Sequence, residues 1–419
     1  MNRVEIGRTL RNMPADFKKL LTARFLFTFA VQMQAVVLGW RIYELLKDPL
    51  ALGFIGLSEA VPAIGLALYA GFLIDRIRPL VAYRRVMYVS FISGLVVLSE
   101  HVFADHLPVA SQAGLLYFAA FLTGTARSFS QPAIFASVPR IVERSKLLQA
   151  TAMSSSAMQI ARIAGPAVGG LIFGFLGAIV SSSLVCLMLL CGVAAMFMIK
   201  IDIPPPAAQT AHRSIKDEFL SGGRFVFKHP VLFPALTLDM ISVLFGGVTA
   251  LLPIFADEIL MVGPKGLGVL RAAPAIGATA MSLYLSRSKR MRTGKWLLSA
   301  VAGFGVCILV FGISRNFYLS ISALALSGGF DSISMVIRSS AVQLTSPDHM
   351  RGKISAVNSI FIGSSNEIGE LESGFVAKLL GTAPAVYFGG IMCLLTVAIV
   401  AWVSPTLRNM DLEKMEKVT

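Results

Sequence analysis

The sequence predicts an all-α membrane protein of twelve transmembrane helices arranged in two pseudo-symmetric six-helix bundles. Of the 419 residues, 55% are hydrophobic and only 14% are charged, whereas soluble proteins average about 45–50% apolar and about 25% charged residues. The apolar residues fall in long runs, and about 20 such residues span a bilayer. These features argue against a soluble enzyme, a disordered chain, a secreted disulfide scaffold and a barrel of alternating strands.

Twelve apolar segments, numbered here as spans 1 to 12, follow one another along the chain. Spans 1 to 6 cover residues 21–45, 51–74, 83–103, 110–133, 147–176 and 178–200; spans 7 to 12 cover 231–255, 266–285, 296–313, 317–337, 354–379 and 385–403. The three prolines Pro204–Pro206 cannot continue a helix. We therefore predict an N-terminal bundle (1–203), a cytoplasmic central loop (204–229) and a C-terminal bundle (230–419).

The central loop contains a further pattern that allows two interpretations. Ile215, Phe219 and Val226 would share one face of a short helix, which could rest on the membrane surface. Alternatively, the segment is an ordinary solvated loop.

The distribution of basic residues predicts the topology. The chain has a net charge of +14, and most Lys and Arg residues lie in the tails and in alternate loops. The other set of loops holds only Lys47, Lys265, Arg315 and Lys378. Basic loops favour the cytoplasmic side, so we expect both termini to be cytoplasmic in a bacterial inner membrane. This explains the positive charge without a nucleic-acid partner.

The two halves share a glycine pattern. Gly165 and Gly170 recur as Gly369 and Gly374, both separated by 204 residues. A duplicated bundle is the usual plan of secondary transporters, which bind a small molecule between their repeats.

Two motifs carry a family resemblance. Span 2 ends in Gly71, Asp75 and Arg76, followed by Arg84 and Arg85. This loop resembles the signature of the major facilitator superfamily, in which the aspartate caps a helix and its charge contacts latch one side of the bundle. The alternative is a basic loop that only sets topology.

Span 5 contains Gly165, Pro166, Gly169 and Gly170. They resemble a motif of the antiporter branches of the same superfamily, which implies a tight, kinked helix contact that seals against proton leak. Glycines let helices approach closely, so generic packing is the alternative. Phrases such as Met350–Asn358 resemble the bacterial efflux branch that contains enterobactin exporters.

Charged residues within spans are costly, which makes them functional candidates. We predict Asp239 in span 7 as the first proton-coupling candidate, unless it pairs with a neighbouring span. Asp331, a further coupling candidate, lies seven residues before Arg338 on one face of span 10, where the two could pair with other spans or hold a gate. Arg127 in span 4 is a cavity candidate.

Further polar candidates lie in spans 1, 2 and 11. Glu367 and Glu370 share a helix face and are candidates for proton uptake, or for structural pairs with Arg271 or Arg162. Further substrate-cavity candidates are Asn366, Gln32, Gln34 and Glu59.

These features together predict proton-coupled efflux of a small, partly apolar molecule, such as a siderophore, drug or metabolite, by a monomeric carrier in the lipid bilayer. The alternatives are an importer or facilitator on the same fold, or a lipid flippase. No Walker sequence is present, the four cysteines lie in apolar runs, and the five histidines fall at predicted loops. We therefore expect no enzyme activity, cofactor or metal.

Overall fold

The computed structural model describes residues 13–74, 76–201, 215–285, 293–347 and 350–411. Within these ranges the chain is almost entirely helical, and nine helices are long and apolar enough to cross a membrane. They are Ala15–Leu46, Pro79–Val102, Val109–Ile141, Gln149–Phe197, Leu232–Ile259, Gly263–Leu285, Gly294–Ile313, Phe317–Thr345 and Thr382–Val403.

The helical stretch Leu147–Phe197 contains both predicted spans 5 and 6. A single helix of its 51 residues would be about 77 Å long, more than twice the hydrocarbon thickness of a bilayer. Gly177 interrupts it with a φ of 85°, a left-handed conformation that glycine adopts at little cost. On either side of this break, Gly169 of span 5 lies against Met33 of span 1, and Gly192 of span 6 lies beside Ala23 of span 1.

Two other predicted spans also form helices, although they are shorter or more polar. Span 2 consists of Pro49–Gly65, with Pro62 inside it, followed by Ala67–Ile74. Span 11 is the helix Arg351–Leu380. Span 7 begins as the helix Leu232–Gly246 and continues through short 3-10, α and π turns to Ile259.

Polar caps mark the starts of the helices that form spans 9 and 10. The Thr293 hydroxyl accepts a hydrogen bond from the Trp296 backbone N–H, and the Asn316 side chain accepts bonds from Tyr318 and Leu319. These side chains satisfy N–H groups that have no partner within the first turn of a helix. The caps place the two helix starts close to the predicted boundaries of spans 9 and 10.

The central loop contains the helix Ile215–Lys228. Val226 is fully buried and packs with Val231 and Leu232, which supports the helical interpretation over an ordinary loop. The side chains of Ile215 and Phe219 lie outside the described residues, and the position at a membrane surface remains a prediction.

The chain forms two compact units. The first consists of Met1–Leu46, Ser58–Thr210 and Pro264–Gly268, and the second of Lys47–Leu57, Ala211–Gly263 and Val269–Thr419. Each unit has its own apolar core, with Phe17, Tyr83 and Met87 among the residues of the first and Leu232, Leu297 and Ile337 among those of the second. The beginning of span 2 thus belongs to the second unit, and the beginning of span 8 to the first.

Candidate substrate and coupling site

A buried ion pair joins spans 7 and 10 in the second unit. The carboxylate of Asp239 contacts the guanidinium of Arg338, and the two residues are only 6% and 3% exposed. Asp239 is therefore paired with a neighbouring span, and Arg338 is its partner. Because the interior is a poor solvent for ions, neither charge is stable there without the other.

The two residues lie at different positions along their helices. Asp239 follows Leu232 by seven residues, and Arg338 precedes Thr345 by seven residues. At about 1.5 Å per residue, each lies about 10 Å along its helix from that end. Asp239 is thus the middle residue of the helix Leu232–Gly246, whereas Arg338 lies in the last third of the helix Phe317–Thr345.

Asp331 lies two turns from Arg338 on the same helix and close to its midpoint. Its side chain is partly buried, and it makes no ion pair with any residue that the structure describes. Arg338 is therefore a paired cation on this face of span 10. About 10 Å along the helix, Asp331 is a carboxylate without an ion-pair partner among the described residues.

A second ion pair joins spans 2 and 4 in the first unit. The Arg127 guanidinium contacts the Glu59 carboxylate. The two helices cross closely at Gly124, where a Cβ atom would overlap the backbone carbonyl of Glu59. Glycine at this crossing therefore allows the approach that brings the two charged side chains together one turn further along span 4.

The antiporter-type motif lies at two helix contacts of the first unit. A Cβ atom at Gly165 would lie 2.8 Å from the Cβ of Gln32, and one at Gly169 would lie 2.9 Å from the Cγ of Met33. A Cβ atom at Gly170 would lie 2.5 Å from the Cα of Gly268. The glycines therefore fit span 5 against span 1 and against the start of span 8, with Pro166 between them.

The repeated glycines of span 11 make the corresponding contacts in the second unit. A Cβ atom at Gly369 would lie 2.7 Å from the Leu244 carbonyl oxygen of span 7. One at Gly374 would lie 3.0 Å from the Cα of Gly53 in span 2. The glycines that recur after 204 residues therefore make equivalent contacts. Gly165 packs against span 1, the first span of the first half, and Gly369 packs against span 7, the first span of the second half.

The predicted glutamines of span 1 have different surroundings. Gln34 is 3% exposed and donates hydrogen bonds of 2.8 Å to Ser93 and 3.3 Å to Thr123. Gln32 is partly buried at the contact with Gly165. Gln34 is therefore enclosed in a hydrogen-bonded cluster of the first unit rather than facing open space.

The basic residues after span 2 lie in several environments. Arg76 and Arg85 are exposed, whereas Arg84 is partly buried with its guanidinium 5.4 Å from the centre of the Phe197 ring. Arg84 therefore contributes to the packing of span 3 against span 6. Asp75 lies outside the described residues, as do the surroundings of Gly71.

The polar stretch of span 11 is described only in part. Asn366 is exposed and Glu370 is partly buried. The side chain of Glu367 lies outside the described residues, so its predicted interaction with Glu370 stays a prediction.

The first unit also contains a buried polar network that the sequence did not predict. The Arg41 side chain donates hydrogen bonds of 3.0 Å to Glu100, which is fully buried, and of 3.0 Å to Gln112. His101 is 8% exposed, and its ring nitrogen Nδ1 lies 2.8 Å from the Val97 carbonyl oxygen. Placing all histidines in solvated loops was therefore wrong for His101. Arg41 and Glu100 are charged residues within predicted spans, and this property could have identified them from the sequence.

Two further ion pairs meet at the junction of spans 1 and 2. The ammonium of Lys47 lies 2.8 Å from the Asp257 carboxylate, and that of Lys378 lies 2.7 Å from the Asp48 carboxylate. Asp48 also accepts a hydrogen bond from the backbone N–H of Leu50. The hydrogen bond from Lys378 holds the pKa of Asp48 below its usual value. These pairs fasten the start of span 2 to spans 7 and 11.

Comparison with solved structures identifies the fold. The structure resembles that of a POT family transporter in complex with a thioalcohol-conjugated peptide, with a TM-score of 0.73 and 13% identity, over 95% of this chain and 99% of the other. It also resembles a bacterial homologue of the iron transporter ferroportin in its inward-facing state, with a TM-score of 0.72 and 14% identity, over 93% and 98% of the two chains. The described chain therefore has the fold of these transporters, with helices long and apolar enough to cross a membrane several times.

The family follows from the sequence comparison. Residues 12–418 match the transmembrane secretion effector model, MFS_3, and the chain belongs to this family. It is 25% identical over 245 residues to the enterobactin exporter EntS of Escherichia coli O1:K1 and to that of Shigella boydii serotype 18. The match spans 58% of this chain and 58% of the length of each exporter.

Proposed function

We propose that this protein is a proton-coupled exporter of a small, partly apolar molecule in the bacterial inner membrane. In this proposal twelve spans form two bundles, residues 1–203 and 230–419, joined by a cytoplasmic loop at 204–229, and both termini are cytoplasmic. The family, the exporter relatives and the distribution of basic residues support it. The protein would act as a monomer by alternating access.

The observation that carries the coupling proposal is the buried pair of Asp239 and Arg338. A proton that neutralises Asp239 leaves Arg338 as an uncompensated cation in a poorly solvating interior. The spans that hold the two groups then favour a different arrangement, in which Arg338 is solvated or meets another anion. Asp331, two turns along the same face, is the nearest candidate on span 10.

The energy available to such a switch is sufficient for accumulation. One charge that crosses the membrane potential releases about 2.3 kcal/mol per 100 mV, and a concentration ratio of ten costs about 1.4 kcal/mol. One proton per substrate can therefore maintain a gradient of more than tenfold.

The glycine contacts have a supporting role in this proposal. Gly165 and Gly170 hold span 5 against spans 1 and 8, and a close contact leaves no room for a water chain. The glycines of span 11 would do the same in the second half. A water chain at either place would conduct protons without substrate.

The experiment is transport in vesicles of known orientation. Inside-out vesicles that contain the protein, acidified inside, receive labelled enterobactin as the first probe, followed by a panel of siderophores, drugs and metabolites. We expect uptake against a gradient that a protonophore abolishes and that vesicles without the protein lack. Accumulation only in right-side-out vesicles would indicate an importer, equilibration without accumulation a facilitator, and movement of a labelled lipid a flippase; each would contradict the proposal.

A further inference from the structure

Three arginines of the first unit carry positive charge into the interior of their helices. Arg24 belongs to span 1, Arg127 lies near the midpoint of the helix Val109–Ile141, and Arg162 lies near the midpoint of span 5. Arg24 donates hydrogen bonds to Ser154 of span 5, two turns before Arg162, and to Gln131 of span 4, one turn after Arg127, so the three arginines lie on adjoining helices. We refer to these three residues as the arginine cluster.

The arginine cluster has fewer negative partners than positive charges. Glu59 pairs with Arg127. Within the ranges that the structure describes, Arg24 and Arg162 pair with no carboxylate. Two positive charges are therefore not compensated by these residues. Unpaired ions inside a membrane span are costly, and they mark sites for charged ligands or ions.

Neutral groups hold Arg24 in place. One Nη atom donates a hydrogen bond of 2.6 Å to the hydroxyl of Ser154, and the other donates one of 3.3 Å to the side-chain oxygen of Gln131. Ser154 is itself buried. A guanidinium group has five N–H donors, so these two bonds orient Arg24 without neutralising it and leave other donors for a ligand.

Arg162 is positioned for direct contact with a ligand. It lies one turn before Gly165, which packs against Gln32, so this part of span 5 is fixed against span 1. The Arg162 side chain is exposed. A charged group that is accessible at the middle of a span faces a polar space, because contact with lipid tails is too costly.

We propose that the arginine cluster binds an oxyanion, carboxylate or phosphate, on the transported molecule. This rests on the proposed transport function and assigns its substrate class. The planar guanidinium group matches two oxygens of a carboxylate or phosphate at once. Arg162 and Arg24 contact the oxyanion, whereas Arg127 remains paired with Glu59. Because Arg162 lies near the midpoint of span 5 and lipid headgroups lie at the ends of the spans, the oxyanion is assigned to the substrate.

The test is a binding assay on the purified full-length protein in detergent, which needs no gradient. The probes share one ring system and differ in charge: 1-naphthoate, 1-naphthyl phosphate and the neutral 1-naphthamide. Binding is measured by thermal stabilisation of the wild type, of Arg162→Gln and Arg162→Lys, and of Arg144→Gln, a control in an exposed loop. We expect a preference of at least tenfold for an anionic probe over the amide.

The variants then distinguish the arginine cluster from other anion sites. Arg162→Gln should weaken anion binding at least tenfold and leave amide binding unchanged, Arg162→Lys should retain part of the preference, and Arg144→Gln should match the wild type. Equal binding of anionic and neutral probes, or an unchanged preference in Arg162→Gln, would overturn the proposal. A failure of Arg162→Gln to fold would appear as a lower melting temperature without probe, and Arg162→Lys then supplies the decisive comparison.

This assay separates the substrate class from the transport mechanism. Charge-selective binding without proton-driven transport would support the oxyanion site and refute the exporter proposal. Proton-driven transport without charge-selective binding would support the exporter proposal and refute the oxyanion site. The two naphthyl anions also show whether a carboxylate or a phosphate fits better.

Discussion

Removal of one member of the buried Asp239–Arg338 pair should cost far more stability than removal of both. Asp239→Asn leaves Arg338 as a buried cation, and Arg338→Gln leaves Asp239 as a buried anion. Their side chains are only 8% and 4% exposed, so water cannot replace the lost partner. Each single variant should lose about 3–5 kcal/mol of unfolding free energy.

The double variant Asp239→Asn, Arg338→Gln contains neither charge. Since replacement of a buried ion pair by neutral groups is often close to neutral in stability, we expect a loss well below the sum of the two single losses. The resulting coupling energy should therefore be several kcal/mol, at or above the top of the range of about 0.5–3 kcal/mol that neighbouring residues show.

The assay is SDS titration of the protein in mixed micelles, followed by tryptophan fluorescence. Glu143→Gln is the control, because Glu143 pairs with Lys146 at an exposed site and such pairs contribute at most about 1 kcal/mol. A double variant that loses the full sum of the single losses would refute the argument, since the two charges would then not depend on each other.

Three further predictions concern packing, pH and the second buried network. Gly124→Ala should destabilise the protein by about 1–3 kcal/mol in the same titration, because the methyl group overlaps a backbone carbonyl oxygen; Gly114→Ala, where a Cβ atom meets nothing within 4 Å, should be neutral or slightly stabilising. The stability difference between wild type and Asp48→Asn should be constant from pH 5 to 8 and shrink below about pH 4. Lys378 lowers the pKa of Asp48, so the stabilisation by this ion pair is lost only when the carboxylate is protonated. A difference that grows towards low pH would contradict this. Glu100→Gln should cost about 1–3 kcal/mol in the titration, because Arg41 loses its buried carboxylate but keeps its ion pair with the exposed Glu44. No measurable loss would show that the network is not essential to the fold.

The sequence predicted the helices well because their apolar runs are long and their interruptions are distinct. Gly177 separates two runs that are each long enough to span, and the break lies at that residue. Span 2 begins two residues earlier than predicted, at Pro49, because Asp48 accepts a hydrogen bond from the Leu50 backbone N–H and proline is favoured in the first turn of a helix. Helix ends depend on caps and local contacts, which hydrophobicity alone does not record.

The partners of the charged residues could not be predicted. The cost of an intramembrane charge singles out Asp239 and Arg338, but their contact depends on how two helices far apart in sequence are rotated. The glycine repeat likewise predicted close packing, whereas the partner of Gly170, which is Gly268 of span 8, depends on tertiary structure. Arg41 and Glu100 carry the same cost, but their pairing likewise depends on how spans 1 and 3 pack.

The proposed role of Asp239 in coupling proton movement to transport is tested most directly by a comparison of gradient-driven accumulation with exchange. Inside-out vesicles with wild type or Asp239→Asn receive the substrate identified by efflux profiling. We expect the variant to exchange labelled for unlabelled substrate at equal pH on both sides, and to lose accumulation driven by an acid interior. Full proton-driven accumulation by a folded Asp239→Asn variant would contradict the account.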